Sequence, residues 1–260
     1  MPHISFSALK VWNECPYKHK LTYIDKIEEF RGNAYTAFGS AIHEVCEKIL
    51  LKEYDHSKAP EKFRKAFISE LNSLPQEIKV NLDENLLKQM LEQGLKLAPL
   101  AIPYLEKHFG KFEIISSEEQ LYEPITEYSD EDYDFKGFID LVIRTEDDKY
   151  HIVDWKTCSW GWDMRRKSEP MTTYQLTLYK HYYAQKHDIN PKDVETHFAL
   201  LKRTAKKDQV EIFRVTSGQK KSKNALNLLN KALYNIDKNI FIKNRLSCRN
   251  CGFYKTIHCK

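Results

Sequence analysis

Asp140, Asp154 and Lys156 are the residues whose types and spacing best suit chemistry. They lie in the stretch Gly137 to Thr157, which reads G-F-I-D-L-V-I-R-T-E-D-D-K-Y-H-I-V-D-W-K-T. Two β-rich runs, Phe138 to Arg144 and Tyr150 to Lys156, flank a polar Thr-Glu-Asp-Asp-Lys connection, the pattern of a β-hairpin with a short loop. In a hairpin symmetric about Asp147, Asp140 stands opposite Asp154, and Lys156, two residues on, shares their face. Carboxylates about 5 Å apart, Cβ to Cβ, repel unless a proton or a cation lies between them. The spacing predicts that Asp140 and Asp154 are ligands of a divalent metal. A bare D-x-K also occurs where one aspartate ends a strand and the lysine is a solvated neighbour, so the rest of the chain must decide.

The elements around these residues are readable. Ile139, Leu141, Val142, Ile143, Ile152 and Val153 make nearly continuous apolar strands, as in a sheet covered on both faces. Phe112 to Tyr122 is expected as a strand leading into the hairpin, and the acidic stretch Ser129 to Asp134 as an exposed turn. After the hairpin, Trp160 and Trp162, with Trp155, are expected to crowd beside the carboxylates. Such rings either stack on unpaired bases, at about 1 to 3 kcal/mol each, or are ordinary core. Thr172 to Lys186 is predicted as a helix with Gln175 and Tyr179 at i and i+4 on one face. Val194 to Lys202 then forms a strand, parallel to the second hairpin strand because a helix crosses between them. Gln209 to Thr216 reads as another strand and Ser217 to Phe241 as an amphipathic helix.

Upstream, Ser5 to Ile24 reads as a helix capped by Ser5 or Ser7 and interrupted at Cys15-Pro16. After a Gly32-Asn33 turn, Gly39-Ser40 leads into a helix Ala41 to Leu51 with Ile42, Val45, Cys46, Ile49 and Leu50 on one stripe. Cys46 is core. His43 lies just off the stripe and is a hydrogen-bonded structural residue unless the helix faces the hairpin. Residues 55 to 110 read as helical, with breaks near Pro99 and Pro103, packing over the core or forming a channel wall.

The chain has 260 residues, with 42% hydrophobic and 30% charged, the balance of a soluble globular protein read here as one domain, 1–260. No apolar run approaches the roughly 20 residues that span a bilayer, and the N-terminus lacks a basic region followed by an apolar one. The expectation is a cytoplasmic protein without a membrane partner. Net charge is +4, unevenly spread: acids crowd residues 112 to 148, bases residues 155 to 224. Arg165, Arg166, Lys167, Lys202, Arg203, Lys206, Lys207, Lys220, Lys221 and Lys223 form either a polyanion-binding face or solvated loops. Of the six cysteines, Cys15, Cys46, Cys158, Cys248, Cys251 and Cys259, three crowd the end at 248–259. In a reducing compartment these are metal ligands rather than disulfides, and on spacing alone a four-cysteine zinc site comes first.

The helix with His43, three strands, helix with Gln175 and Tyr179, and a further strand resemble the αβββαβ core of PD-(D/E)xK nucleases, whose fold is α/β and restriction-endonuclease-like with a mixed central sheet. The resemblance is closer to the RecB-like branch, which includes AddB and the CRISPR-associated adaptation nucleases. It rests on Ser5-Phe-Ser-Ala-Leu-Lys-Val-Trp-Asn-Glu-Cys-Pro-Tyr-Lys18, Gly39-Ser-Ala-Ile-His43-Glu, Gly137-Phe-Ile-Asp140, Ile152-Val-Asp154-Trp-Lys156-Thr and Gln175-Leu-Thr-Leu-Tyr179. The five motifs stand in the family's order, with the helical stretch 55–110 as an insertion.

This resemblance implies Mg²⁺ or Mn²⁺ held by His43, Asp140, Asp154 and the backbone carbonyl of Trp155. It makes Lys156 a catalytic residue and gives Gln175 and Tyr179 the task of holding Lys156 or the DNA backbone. It further implies that Cys15, Cys248, Cys251 and Cys259 hold a [4Fe-4S] cluster stapling the chain ends, although the gap before Cys259 is longer than in the family pattern. Losing one such thiolate is expected to affect folding more than chemistry. The implied activity is a metal-dependent DNA exonuclease of recombination, repair or phage DNA metabolism. Its substrate is DNA that is single-stranded or has single-stranded ends, and its partners are recombination or CRISPR-adaptation proteins. The alternatives are an adaptation or structure-specific endonuclease, and a nucleic-acid-binding module with a vestigial site.

Overall fold

The computed structural model describes residues 2–27, 32–126 and 132–260. The chain opens with strand β1 (His3–Ser5) and helix α1 (Phe6–Glu14), where the Ser5 hydroxyl accepts the N–H of Ala8 and caps the helix, satisfying an amide that a helix start leaves open. The expected break falls at Cys15. That residue is extended, Pro16 opens α2 (Pro16–His19), and a π-helical turn carries the chain to Ile24. Proline at a first helical position removes no hydrogen bond.

Helix α3 (Ala34–Leu50) starts well before the expected Ala41. Asn33 and Thr36 form a capping box there, and Gly39, which reads as a break, lies inside the helix. A Cβ on Gly39 would stand 3.4 Å from Thr157 Oγ1, so glycine lets α3 approach the end of the hairpin closely. The expected helical insertion is present as α4 (Ala59–Ser73), α5 (Gln76–Lys79), α6 (Glu84–Leu97) and α7 (Ala101–Phe109). The break at Pro99 is a 3₁₀ turn, whereas Pro103 sits in the first turn of α7 and breaks nothing, because N–H groups there have no intrahelical partner.

Strands β2 (Phe112–Pro124), β3 (Asp134–Thr145) and β4 (Tyr150–Cys158) form an antiparallel meander. A short helix α8 (Met164–Ser168) and the crossover helix α9 (Pro170–His187) lead to β5 (Val194–Lys202), then β6 (Val210–Arg214) and α10 (Gln219–Asp237). The β3–β4 register pairs Leu141 with Val153 and Arg144 with Tyr150, the symmetry about Asp147 that the sequence predicts. β5 lies parallel to β4, as its crossover demands. The sheet is mixed and open, ordered β1-β3-β4-β5-β6, with β2 along the other edge of β3. Ser129, Asp130 and Glu131 of the expected acidic turn lie outside the described residues. Asp134, placed in that turn by the sequence reading, is instead the buried first residue of β3.

Each sheet face carries its own core. Ile139, Val142, Ile152 and Phe198 pack under α1, α9 and α10, against residues such as Leu9, Leu176, Tyr182 and Leu229. Leu141, Ile143, Val153, Trp155 and Ala199 pack under α3, α4, α6 and α7, against Phe38, Ile42, Phe63 and Leu105. Two covered faces account for the nearly unbroken apolar strands. The segment 59–109 thus roofs one face of the sheet.

Candidate active site

A sheet separates the helices on its two sides, and this one has a gap where they meet. Along the β4-facing edge of β3, pairing with β1 covers Asp134 to Lys136 and pairing with β4 covers Leu141 to Arg144. Residues 137–140 have no strand partner on that edge among the described residues. Asp140 sits at the fork, where its Oδ2 accepts the backbone N–H of Trp155 at 2.7 Å.

His43 reaches the fork from α3 on one side, with Nδ1 3.6 Å from Asp140 Oδ2. Its ring also hydrogen-bonds the Trp155 backbone. Gln175 and Tyr179 reach it from α9 on the other side. Gln175 Nε2 donates to Asp154 Oδ1 at 2.9 Å and to the Tyr179 hydroxyl oxygen at 3.3 Å. Lys156 Nζ lies 2.5 Å from Asp154 Oδ2. Gly137 permits this closeness: a Cβ there would stand 2.8 Å from Tyr179 Cε1.

Glu118 joins the group although sequence reasoning missed it. The β2–β3 register slips by one residue between Ile114 and Ser116, and Glu118 adopts a positive φ of 49°, which costs an L residue of order 1 kcal/mol or more. Consecutive glutamates then point to different neighbours. Glu119 pairs with Lys186 and His187, while Glu118, His43 and Asp140 bring one ligand atom each to within 4.8 Å of one another. A bulge is not visible in a loosely alternating strand, so only the two adjacent acids hinted at this.

The electrostatics follow from burial. Asp154 is 2% exposed and the Asp140 side chain 13%. Burial, then the like charge of Asp154, push the Asp140 carboxyl up to about 8, against the pull of Lys156 and the Trp155 N–H. Burial opposes charge on Lys156, but the sum of Asp154 and Asp140 prevails and raises it above the ordinary lysine value. Burial lowers His43, leaving a neutral imidazole, and raises Glu118 together with the charge of Asp140. Burial and the crowding of carboxyls thus favour a proton on Asp140 in the absence of metal.

A model of the PD-(D/E)XK nuclease superfamily matches residues 3–256. The chain belongs to that superfamily. A solved structure of a candidate exonuclease from Eubacterium rectale superposes with a TM-score of 0.53 over 98% of this chain and 90% of that one, at 12% identity. The structure of SSO0001 is more distant, with a TM-score of 0.39 over 95% of this chain and 93% of that one, at 13% identity. None of the curated proteins matches the sequence.

Membership implies a nucleic acid substrate, and nucleases of this superfamily use divalent metals. The residues present fit one: two carboxylates and an imidazole whose donor atoms converge suit a hard or borderline cation such as Mg²⁺ or Mn²⁺. Asp154 stands apart from that converging trio because Gln175 and Lys156 engage both of its oxygens. The sequence reading paired Asp140 with Asp154 most closely. In the nuclease, the bulged β2 brings Glu118 into that place.

Other expectations are redistributed. The tryptophans do not crowd together: Trp155 is buried under the α3 side, Trp162 packs on Phe198 on the opposite face, and Trp160 is 75% exposed. The basic face loses three members, since Lys167 and Lys202 pair with Glu211 and Arg203 is buried against Tyr35 and Phe38. The nuclease does bring its termini together. Cys15, Cys248, Cys251 and Cys259 line one cavity of about 340 Å³. Asn244 ties its walls, giving its N–H to Cys15 Sγ at 3.3 Å and its side-chain amide to the Glu14 carbonyl at 2.8 Å. Cys46 is fully buried in the core, with its thiol pushed up to about 12 by burial and then by Asp140.

Proposed function

We propose that this nuclease is a Mg²⁺- or Mn²⁺-dependent DNA exonuclease that hydrolyses phosphodiester bonds at the fork between β3 and β4. The convergence of His43, Glu118 and Asp140 beside the Asp154–Lys156 pair is the observation that carries the reading. His43, Asp140, Asp154, Glu118 and the Trp155 carbonyl would hold the metal. A divalent ion there supplies Lewis-acid activation of water and neutralises charge on the scissile phosphate. Lys156 is placed to orient the attacking water or to stabilise the negative charge of the transition state. Gln175 fixes the Asp154 carboxylate, and Tyr179 fixes Gln175. The likeness in fold to a candidate exonuclease favours attack from DNA ends over internal cutting.

The termini support a [4Fe-4S] cluster on Cys15, Cys248, Cys251 and Cys259. The four thiols line one cavity, and a C-x2-C turn aims two sulfurs at one centre. Protein purified without oxygen is then brown and loses its colour on Cys251→Ser; a colourless, zinc-containing preparation would overturn this part alone.

The deciding experiment for activity is digestion of end-labelled linear DNA, single- and double-stranded, beside a closed circle, with wild type and Asp154→Ala. Loss of linear DNA only, abolished in the variant, is the expected result. Cutting of the circle would establish an endonuclease, and no cutting with either metal would leave a binding module.

A further inference from the structure

A second cluster of metal-ligating side chains lies outside the active site. His151 on β4 and Glu195 and His197 on β5 each bring a ligand atom to within 4.8 Å of the others. The parallel register makes this unavoidable: His151 stands beside Glu195, and Val153 beside His197, so the three share one sheet face. That face is the α7 side, where Phe109 lies 5.0 Å from both imidazoles, ring to ring. His151 is three residues from Asp154, about 10 Å along the strand, and Asp154 faces the other layer. The two clusters are separate.

The proton positions here are determined by neighbours. Thr145 Oγ1 lies 2.9 Å from His151 Nε2, and two acceptors, Asp147 Oδ1 and the Lys149 carbonyl, are also within reach of its hydroxyl. With the hydroxyl hydrogen on either of those oxygens, His151 is the Nε2–H tautomer and Nδ1 carries a lone pair. Glu195 Oε2 lies 3.9 Å from that Nδ1. The other oxygen, Oε1, is held by Arg214 at 2.9 Å and Lys149 at 3.4 Å. Nδ1 of His151 and Nδ1 of His197 are both buried without a hydrogen-bond partner among the described residues, in residues only 7% and 3% exposed. Two buried imidazole nitrogens without partners beside a carboxylate cost free energy unless a cation completes the group.

We propose that His151, Glu195 and His197 form a zinc site. Two nitrogens and one carboxylate oxygen are a zinc donor set. The Asp147–Thr145 pair behind His151 and the Arg214–Lys149 pair behind Glu195 orient the ligands as outer partners do in metal sites. Exposed His108 at the end of α7, its ring 5.8 Å from that of His197, marks the path from solvent. The ion joins the start of β4 to β5 beneath α7, a structural role.

The test is zinc titration by calorimetry of the full chain, stripped of loosely held metal with EDTA and with its cysteine site as purified. Wild type is compared with Glu195→Gln and Thr145→Val, each shown to be folded by circular dichroism. Wild type should take up one equivalent more than Glu195→Gln, and zinc should raise its melting temperature more. Thr145→Val, which leaves every ligand in place, should weaken that equivalent about 10- to 100-fold. Equal stoichiometry and affinity in all three proteins would overturn the proposal and leave the histidines as packing partners of Phe109. An anomalous difference map at the zinc edge adds an independent readout, with a peak expected between the three side chains; its absence after zinc soaking would also refute the site.

Discussion

Asp140 Oδ2 takes the backbone N–H of Trp155 at 2.7 Å, where Asp140 is one residue and Trp155 two residues beyond the last pair of the hairpin, Leu141 with Val153. A side chain thus satisfies an amide next to the point where the ladder ends, and the fork stays open without an orphaned donor. Position 140 has two tasks, holding the backbone and carrying charge, and substitutions separate them. Asp140→Asn keeps an acceptor for Trp155 and loses the charge. It should fold with near wild-type stability while activity falls at least about 100-fold. Asp140→Ala should lose activity and also about 1 to 3 kcal/mol of stability from the unsatisfied amide. Equal melting temperatures for the two variants would refute the backbone role.

The same residue sets a dependence of stability on pH. Its folded-state value, pushed up to about 8 by burial and then by Asp154, exceeds that of an unfolded aspartate. Between the ordinary carboxylate range and pH 8 the folded state therefore binds the extra proton. Chelated protein should lose stability as pH rises through that window. Mg²⁺ or Mn²⁺ should displace the proton and remove the slope, and Asp140→Asn should flatten it without metal. Chemical denaturation in EDTA at pH 6, 7 and 8 measures this; a rise in stability with pH that Asp140→Asn leaves unchanged would contradict it.

Much of this was legible in the sequence because the chemistry lies on regular elements. A hairpin of period two brings Asp140 and Asp154 to the open end of the β3–β4 ladder, and a helix of period 3.6 places Gln175 over Tyr179. These relations need only counting. What could not be counted depends on irregularity. Glu118 enters through a bulge and a positive φ, α3 runs through Gly39 close to Thr157, and Trp155, Trp160 and Trp162 are divided between two cores and solvent. Each is settled by contacts between segments far apart in the chain, which no local pattern carries.

Lys156 and Gln175 should give different kinetic signatures. Lys156→Ala removes the ammonium group beside Asp154 and should lower kcat about 100- to 1,000-fold with DNA binding retained. Gln175→Ala frees one oxygen of Asp154 and should act mainly through the metal, raising the Mn²⁺ concentration for half-maximal activity about 10- to 100-fold. High Mn²⁺ should restore the Gln175 variant and leave the Lys156 variant inactive. Rescue of both, or of neither, would show that the two side chains do not divide the work in this way.

The helical roof offers a test of stability that spares the chemistry. Gly94 of α6 lies against Phe63 of α4 so closely that a Cβ would stand 2.0 Å from the ring. Phe63 is itself locked against Phe38 and Phe67 at ring distances of 5.2 and 5.6 Å. The ring cannot turn away without disturbing α3, the helix that carries His43. Gly94→Ala should therefore destabilise by about 1 to 3 kcal/mol, despite the better helix propensity of alanine. Well below its melting temperature, the variant should cut DNA within a few-fold of wild type, because Phe63 meets α3 at Phe38, more than a turn away from His43. A gain in melting temperature would mean that α4 and α6 separate freely, and a loss of activity at full folding would mean that the roof sets the position of His43.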